Sequence, residues 1–230
     1  MKIDLSKYMT QRYIESLAKQ EFEGPVITIA REFGCPAKKV ASRLVLRLNQ
    51  IKDSRAKPLP WRWINKEILY ESAKKLNLDP TDIQYVFKYE KKTFFDELLS
   101  SQSRKYYKSD RKIRNTIANV IRNIASEGNV IIIGRGGVAI TREMERSLHI
   151  MLEAPLNWKA MRTAQKYCMT EKMAAKYVAE IDRKRKEFRD YFHGKGTDYT
   201  RFDARFNCMT LSIDNIADSI VGLLQSRKFV

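Results

Sequence analysis

Val130-Ile131-Ile132-Ile133 is a run of four β-branched residues without a polar break, and it closes on Gly134-Arg135-Gly136-Gly137. A strand with one wet face alternates apolar and polar side chains. An unbroken run is therefore read as a strand covered on both faces, as in a parallel sheet clad in helices. Val26-Ile27-Thr28-Ile29-Ala30 repeats the pattern between Gly24-Pro25 and Gly34. From Lys38 onward Val40, Ala41, Leu44, Val45 and Leu48 recur at helical spacing, so a helix follows the first strand after one tight loop.

The same reasoning places the remaining elements. Ile113, Ile117, Val120, Ile121 and Ile124 form a helical stripe stopped by Gly128. His149 to Leu152 reads as a strand closed by Ala154-Pro155, with a helix from Asn157. Thr170 caps a long helix on Met173, Tyr177, Val178, Ile181 and Phe188. Phe206 to Met209 is a last strand, and Ser212 caps a terminal helix on Ile213, Ile216, Ala217, Ile220 and Leu224. Between the first helix and the central stripe lies a linker crowded by Pro58 and Pro60. Beyond it, residues 64–110 read as a helical insertion in which Ile64, Ile68, Leu69, Ala73 and Leu76 share a face. Strands so far apart in sequence need crossover connections, which predicts an α/β domain with a mainly parallel sheet and helices on both faces. Ligands of such sheets bind where strand ends meet helix starts, here after Ala30, Ile133 and Leu152.

The first of these loops runs from Arg31 to Lys39 into a helix N-terminus, which favours a phosphate. Gly34, Lys38 and Lys39 are the residues in it suited to bind one. The second sets Arg135 among Gly134, Gly136 and Gly137, where a planar guanidinium can grip phosphate while glycines allow close approach. A third cluster, Asp182 with Arg183, Arg185 and Arg189, leads to Gly194 and Gly196 as a closing lid would. A fourth, from Arg104 to Arg114 with Tyr106 and Tyr107, mixes charge with rings that could stack on bases, though it matches no compact nucleic-acid motif.

Composition narrows the chemistry. Lys and Arg number 44 against 27 Asp and Glu, a net charge of +17 that attracts polyanions. With 2 histidines and no Ser/His/Asp order at a nucleophile turn, metal-assisted hydrolysis and acyl transfer lack support. Cys35, Cys168 and Cys208 are an odd count without C-x-x-C spacing, which reads as reduced thiols used for packing. Residues 1–24 read as an N-terminal extension without the features of a signal peptide, and no apolar run is long enough for a membrane span. The sequence-based expectation is a cytoplasmic protein.

Taken together, the Val26 to Gly34 stretch, Ile131 to Gly136, Glu153-Ala154-Pro155-Leu156, Asp182 to Gly194 and Cys208 to Ile213 resemble the cytidylate-kinase-like family of P-loop proteins. The resemblance spans about residues 25–225, within a single domain of residues 25–230. It implies a P-loop NTPase-like three-layer fold with a nucleotide-binding insertion at 64–110 and a lid at about 183–200. It also implies an ATP- and Mg²⁺-dependent kinase for a nucleoside monophosphate such as CMP or dCMP. By that resemblance Arg31, Gly34, Lys38 and Lys39 border the ATP phosphates. Gly134 and Arg135 face the acceptor phosphate, and Arg162, Arg183, Arg185 and Arg189 supply further positive charge. Lys38, Arg135 and Arg185 are the residues it assigns to catalysis. The chain departs from the family pattern at Pro36 and Ala37, where glycines are usual, at Gly136 in place of an aspartate, and at Asn65. Glu32 is the nearby carboxylate left for Mg²⁺. A nucleotide sensor without turnover and a basic nucleic-acid-binding protein are the competing readings.

Overall fold

The computed structural model describes residues 25–51, 59–80, 110–193 and 202–230. Residues 1–24, most of the basic patch at 104–114, the second half of the insertion and the glycine pair at the end of the lid lie outside them.

Five strands form one sheet, β1 (Val26–Arg31), β2 (Arg62–Ile64), β3 (Val130–Ile133), β4 (Ser147–Glu153) and β5 (Ala204–Asn207). Their order is β2-β3-β1-β4-β5 and every pairing is parallel. Among the described residues the helices are α1 (Ala37–Gln50), α2 (Glu67–Leu76), α3 (Asp110–Glu127), α4 (Gly137–Ile140), α5 (Leu156–Tyr167), α6 (Glu171–His193) and α7 (Ile213–Ser226).

The apolar runs explain the layers. Successive side chains of a strand point to opposite faces, so Val130 and Ile132 join Val26 in a core with α2 and α3, capped by Phe188 of α6. Ile131 and Ile133 join Ile27, Ile29, Leu148, Ile150 and Leu152 in the opposite core with α1 and α7. All of these strand residues are fully buried, and each contributes roughly 1.5–3 kcal/mol of transfer free energy. The terminal helix starts as its sequence suggests, with Ser212 and Asn215 in a reciprocal capping box. Two elements were not foreseen. Arg62 to Ile64 is an edge strand, held to the end of α1 by Asn49, whose amide both accepts from the Trp61 N–H and donates to the Trp61 carbonyl. Ile64 thus belongs to the sheet and not to the helix that follows. The short helix α4 sits directly behind the Gly134–Gly137 loop.

His149, in β4, is a packed residue. Its Nδ1 lies 2.7 Å from Thr28 Oγ1 and its Nε2 3.2 Å from Ser147 Oγ. Burial holds the imidazole below its ordinary value of 6.5, with Arg227 acting in the same direction and Asp203 against it. As pH falls, the unfolded chain takes up this proton before the folded one does. The contribution is therefore intact above about pH 6.5 and is lost on acidification. Thermal melts at neutral pH and near pH 5 are expected to show a smaller acid-induced loss for His149→Gln than for the native protein. An equal loss in both would assign the acid sensitivity elsewhere.

Candidate functional site

The loops after β1, β3 and β4 meet at the carboxyl edge of the sheet. Gly34 has φ +84°, and α1 begins three residues later behind Pro36 with no side-chain cap and no acidic residue in its first turn. Its positive end is therefore open to an anion. Lys38 and Lys39 are exposed there. They line a cleft of about 730 Å³ with Arg31, Gly34, Arg162 and Arg185. That size suits a nucleotide-scale ligand.

A buried ion cluster fixes the loop from behind. Lys159 of α5 has a side chain only 6% exposed, and its Nζ donates to Glu32 Oε2 at 2.7 Å and Asp182 Oδ2 at 3.0 Å. Burial alone would lower its pKa, but the hydrogen bonds from the ammonium to the two carboxylates outweigh that and raise it. Glu32 also accepts from the Ala154 N–H at 3.1 Å, and Asp182 accepts from the Phe33 N–H at 2.6 Å. Three elements are thereby joined through one ammonium group. Arg185 adds a further tie, donating to the Arg31 carbonyl at 3.2 Å with its guanidinium 5.6 Å from the centre of the Phe33 ring.

The cluster takes one oxygen of Glu32, since Lys159 and the Ala154 amide both bind Oε2, and the carboxylate lines the cleft. The start of α1, Ala37-Lys38-Lys39, offers no hydroxyl. Among the described residues no group of three His, Cys, Asp or Glu side chains could hold a metal ion. The described side chains suit a polyanion, and Glu32 is the carboxylate they leave on the cleft for Mg²⁺.

The loop after β3 has an unusual backbone. Gly134, Arg135 and Gly136 are all left-handed, with φ of +69°, +58° and +72°. At Gly134 an added Cβ would lie 1.8 Å from the Arg31 guanidinium, so a side chain there would displace the tip of that arginine. Arg135 pays for its conformation with strain of about 1–2 kcal/mol. Its Nε donates to both the carbonyl and Oδ1 of Asn65 at 3.3 Å. Asn65 is steadied in turn by Glu67, which accepts from its N–H at 2.7 Å. Although desolvation opposes it, the amides of Asn65, Glu67 and Lys66 together with the Lys38 charge hold the Glu67 carboxyl below its usual value.

A narrow recess lies under this loop, lined by Arg31, Gly134, Arg135, Arg185 and Arg189 with Thr28 and Phe188. Arg31 and Arg185 line both this recess and the large cleft. Arg183 lines neither. It faces outward, bound to Glu180 and Glu187 on its own helix. Arg162 reaches the cleft from α5 with its guanidinium 4.6 Å from the Trp158 ring centre. Sequence reasoning missed Lys159 and Glu67 altogether.

Comparison with known proteins agrees with this fold. A model of the cytidylate kinase-like family matches residues 26–209. An uncharacterized protein from Eubacterium ventriosum ATCC 27560 superposes with a TM-score of 0.59 at 21% identity, over 88% of this chain and 98% of that one. Shikimate kinase from Bacteroides thetaiotaomicron superposes with a TM-score of 0.50 at 13% identity, over 87% and 98%. At such identities the two structures speak for the fold alone. No curated protein sequence matches the chain.

Proposed function

Because the chain belongs to the cytidylate kinase-like family, we propose that it is a nucleotide kinase, transferring the γ-phosphoryl of ATP to a nucleoside monophosphate of the CMP or dCMP type. The observation that supports this most is the sharing of Arg31 and Arg185 between the two recesses. Donor phosphates would lie at the open start of α1 against Lys38 and Lys39, with Arg162 across the cleft. The acceptor phosphate would lie against Arg135 and Arg189. The shared pair then flanks the place where the phosphoryl passes between them. A transferring phosphoryl spreads negative charge over its oxygens and needs little covalent chemistry from the protein, so catalysis rests on positioning and on those arginines. Mg²⁺, which the family implies, would neutralise phosphate oxygens. Its ligands would be phosphates and water, with Glu32 the carboxylate on the cleft wall.

One observation favours a second reading, in which the site senses a nucleotide without turning it over. Pro36 contributes no N–H to the phosphate loop and Ala37 replaces a glycine. ADP release with Mg-ATP and CMP, dCMP, UMP, AMP or GMP in turn separates the two. Release that depends on one acceptor is the expected result. Silence across the panel, with ATP still bound, would establish the sensor instead.

A further inference from the structure

Phe33, Tyr167 and Tyr177 come from three different elements and meet beside the large cleft. Phe33 follows β1, Tyr167 is the last residue of α5 and Tyr177 stands on α6. The Phe33 ring meets Tyr177 edge-on with centroids 5.3 Å apart, and the Tyr167 ring lies 6.4 Å from Phe33 and 6.3 Å from Tyr177. These are the spacings of interacting aromatic pairs. Phe33 is held twice more, by Asp182, which accepts from its N–H, and by the Arg185 guanidinium over its ring. The cluster is thus rigidly supported, yet Tyr167 is 46% exposed. Both Phe33 and Tyr167 line the cleft that Lys38 and Lys39 share.

We propose that Tyr167 is the surface on which the cleft stacks the base of a nucleoside triphosphate, and that stacking in place of edge recognition lets the site accept donors of any base. The assignment rests on the proposed kinase reading and deepens it. A half-exposed ring fixed in a charged cleft offers an apolar face beside groups suited to phosphate, the two halves of a nucleotide. Every base has a π-face, so stacking holds them all. The Lys166 ammonium lies over the Tyr167 ring at 5.2 Å from its centre, which shows that a face of the ring is reachable from solvent. Lys166 is exposed, and its flexible stem can carry the ammonium aside when a base takes that face.

Reading the edge of one base needs donors and acceptors fixed in place. Two amide side chains line the cleft among the described residues, Asn65 and Gln165. Asn65 accepts from Arg135 through its Oδ1, and the Thr163 hydroxyl is turned back to the Lys159 carbonyl on its own helix. Gln165 is exposed on α5. Its amide, turned end for end, presents either a donor or an acceptor, so it can meet any of the four bases. Purines, with the larger ring system, should stack more strongly than pyrimidines.

Binding of ATP, GTP, CTP, UTP and inorganic tripolyphosphate is measured on the native protein, Tyr167→Ala and Tyr167→Trp. The four nucleotides are expected to bind the native protein within about tenfold of one another, all more tightly than tripolyphosphate. Tyr167→Ala is expected to weaken each nucleotide at least about tenfold and to leave tripolyphosphate unchanged, and Tyr167→Trp to keep the native affinities. Equal weakening of tripolyphosphate would make Tyr167 a packing residue of the loop and overturn the stacking. Native protein that binds tripolyphosphate as tightly as the nucleotides would overturn the base site and leave the phosphate site standing. A preference for one base beyond about a hundredfold, or about 2.8 kcal/mol, would overturn the tolerance. Binding as expected without ADP release from any acceptor would overturn the kinase reading and leave the stacking in place.

Discussion

Lys159→Met is expected to lower the unfolding free energy by about 3 kcal/mol, which corresponds to a fall in Tm of roughly 6–12 °C for a chain of this size. Methionine fills much the same space, so little of the loss comes from a cavity. The loss comes from Glu32 and Asp182, which the lysine leaves facing each other as like charges at 28% and 19% exposure. Their partial exposure keeps the estimate at the low end for a broken buried pair. Each carboxylate also holds a backbone amide, Ala154 for Glu32 and Phe33 for Asp182. Repulsion between them therefore loosens the loop after β1 at both attachments, and on the proposed reading ATP-analogue binding is expected to weaken together with stability. Combining Lys159→Met with Glu32→Gln and Asp182→Asn removes the uncompensated charge and should recover part of the Tm. Thermal melts of the single and triple variants decide the matter. A single-variant loss below about 1 kcal/mol would class the cluster with ordinary surface pairs.

The same cluster shows where the sequence was readable and where it was not. β1 and β3 could be placed because their unbroken β-branched runs have one good explanation, a strand buried on both faces. β2 escaped because three residues at a sheet edge, next to Pro58 and Pro60, carry no periodicity to detect. Arg135 could be singled out because an arginine between glycines at a strand end is rare for structural reasons alone. The arginines of α6 could not be sorted, since Arg183 and Arg185 differ by two positions and only packing says which one faces the loop. Arg183 instead closes ion pairs within its own helix.

Lys159 is the instructive omission. Its partners Glu32 and Asp182 lie 127 and 23 positions away, beyond the reach of any local pattern. Yet a local signal existed. Lys159 and Thr163 share the helix face that also buries Ala160 and Ala164, and a lysine on an inner face needs a buried anion. Cys35 and Cys208 were each read as packing residues, and the structure sets Cys208 in, and Cys35 against, the apolar cluster between the sheet and helices α1 and α7.

Arg135→Gly is expected to separate stability from function, cutting phosphoryl transfer at least about 100-fold while leaving the fold as stable as before or slightly more so. Arg135 occupies a left-handed conformation at φ +58°, which costs a non-glycine residue about 1–2 kcal/mol. Glycine relieves that strain but gives back about 0.5–1 kcal/mol through the greater freedom of the unfolded chain. The hydrogen bonds lost to Asn65 are long, at 3.3 Å, and add little to the balance. Strain of this kind persists where the surroundings over-determine it, and here it directs a guanidinium into the recess proposed for the acceptor phosphate. Arg135→Ala provides the contrast, because it removes the same guanidinium and keeps the strained backbone. Both variants should lose transfer alike, while alanine should be the less stable by about 1 kcal/mol. Denaturant titrations and acceptor-dependent ADP release on the two variants test the halves separately. Equal stabilities would refute the backbone argument, and unchanged kinetics in either variant would remove Arg135 from the acceptor site.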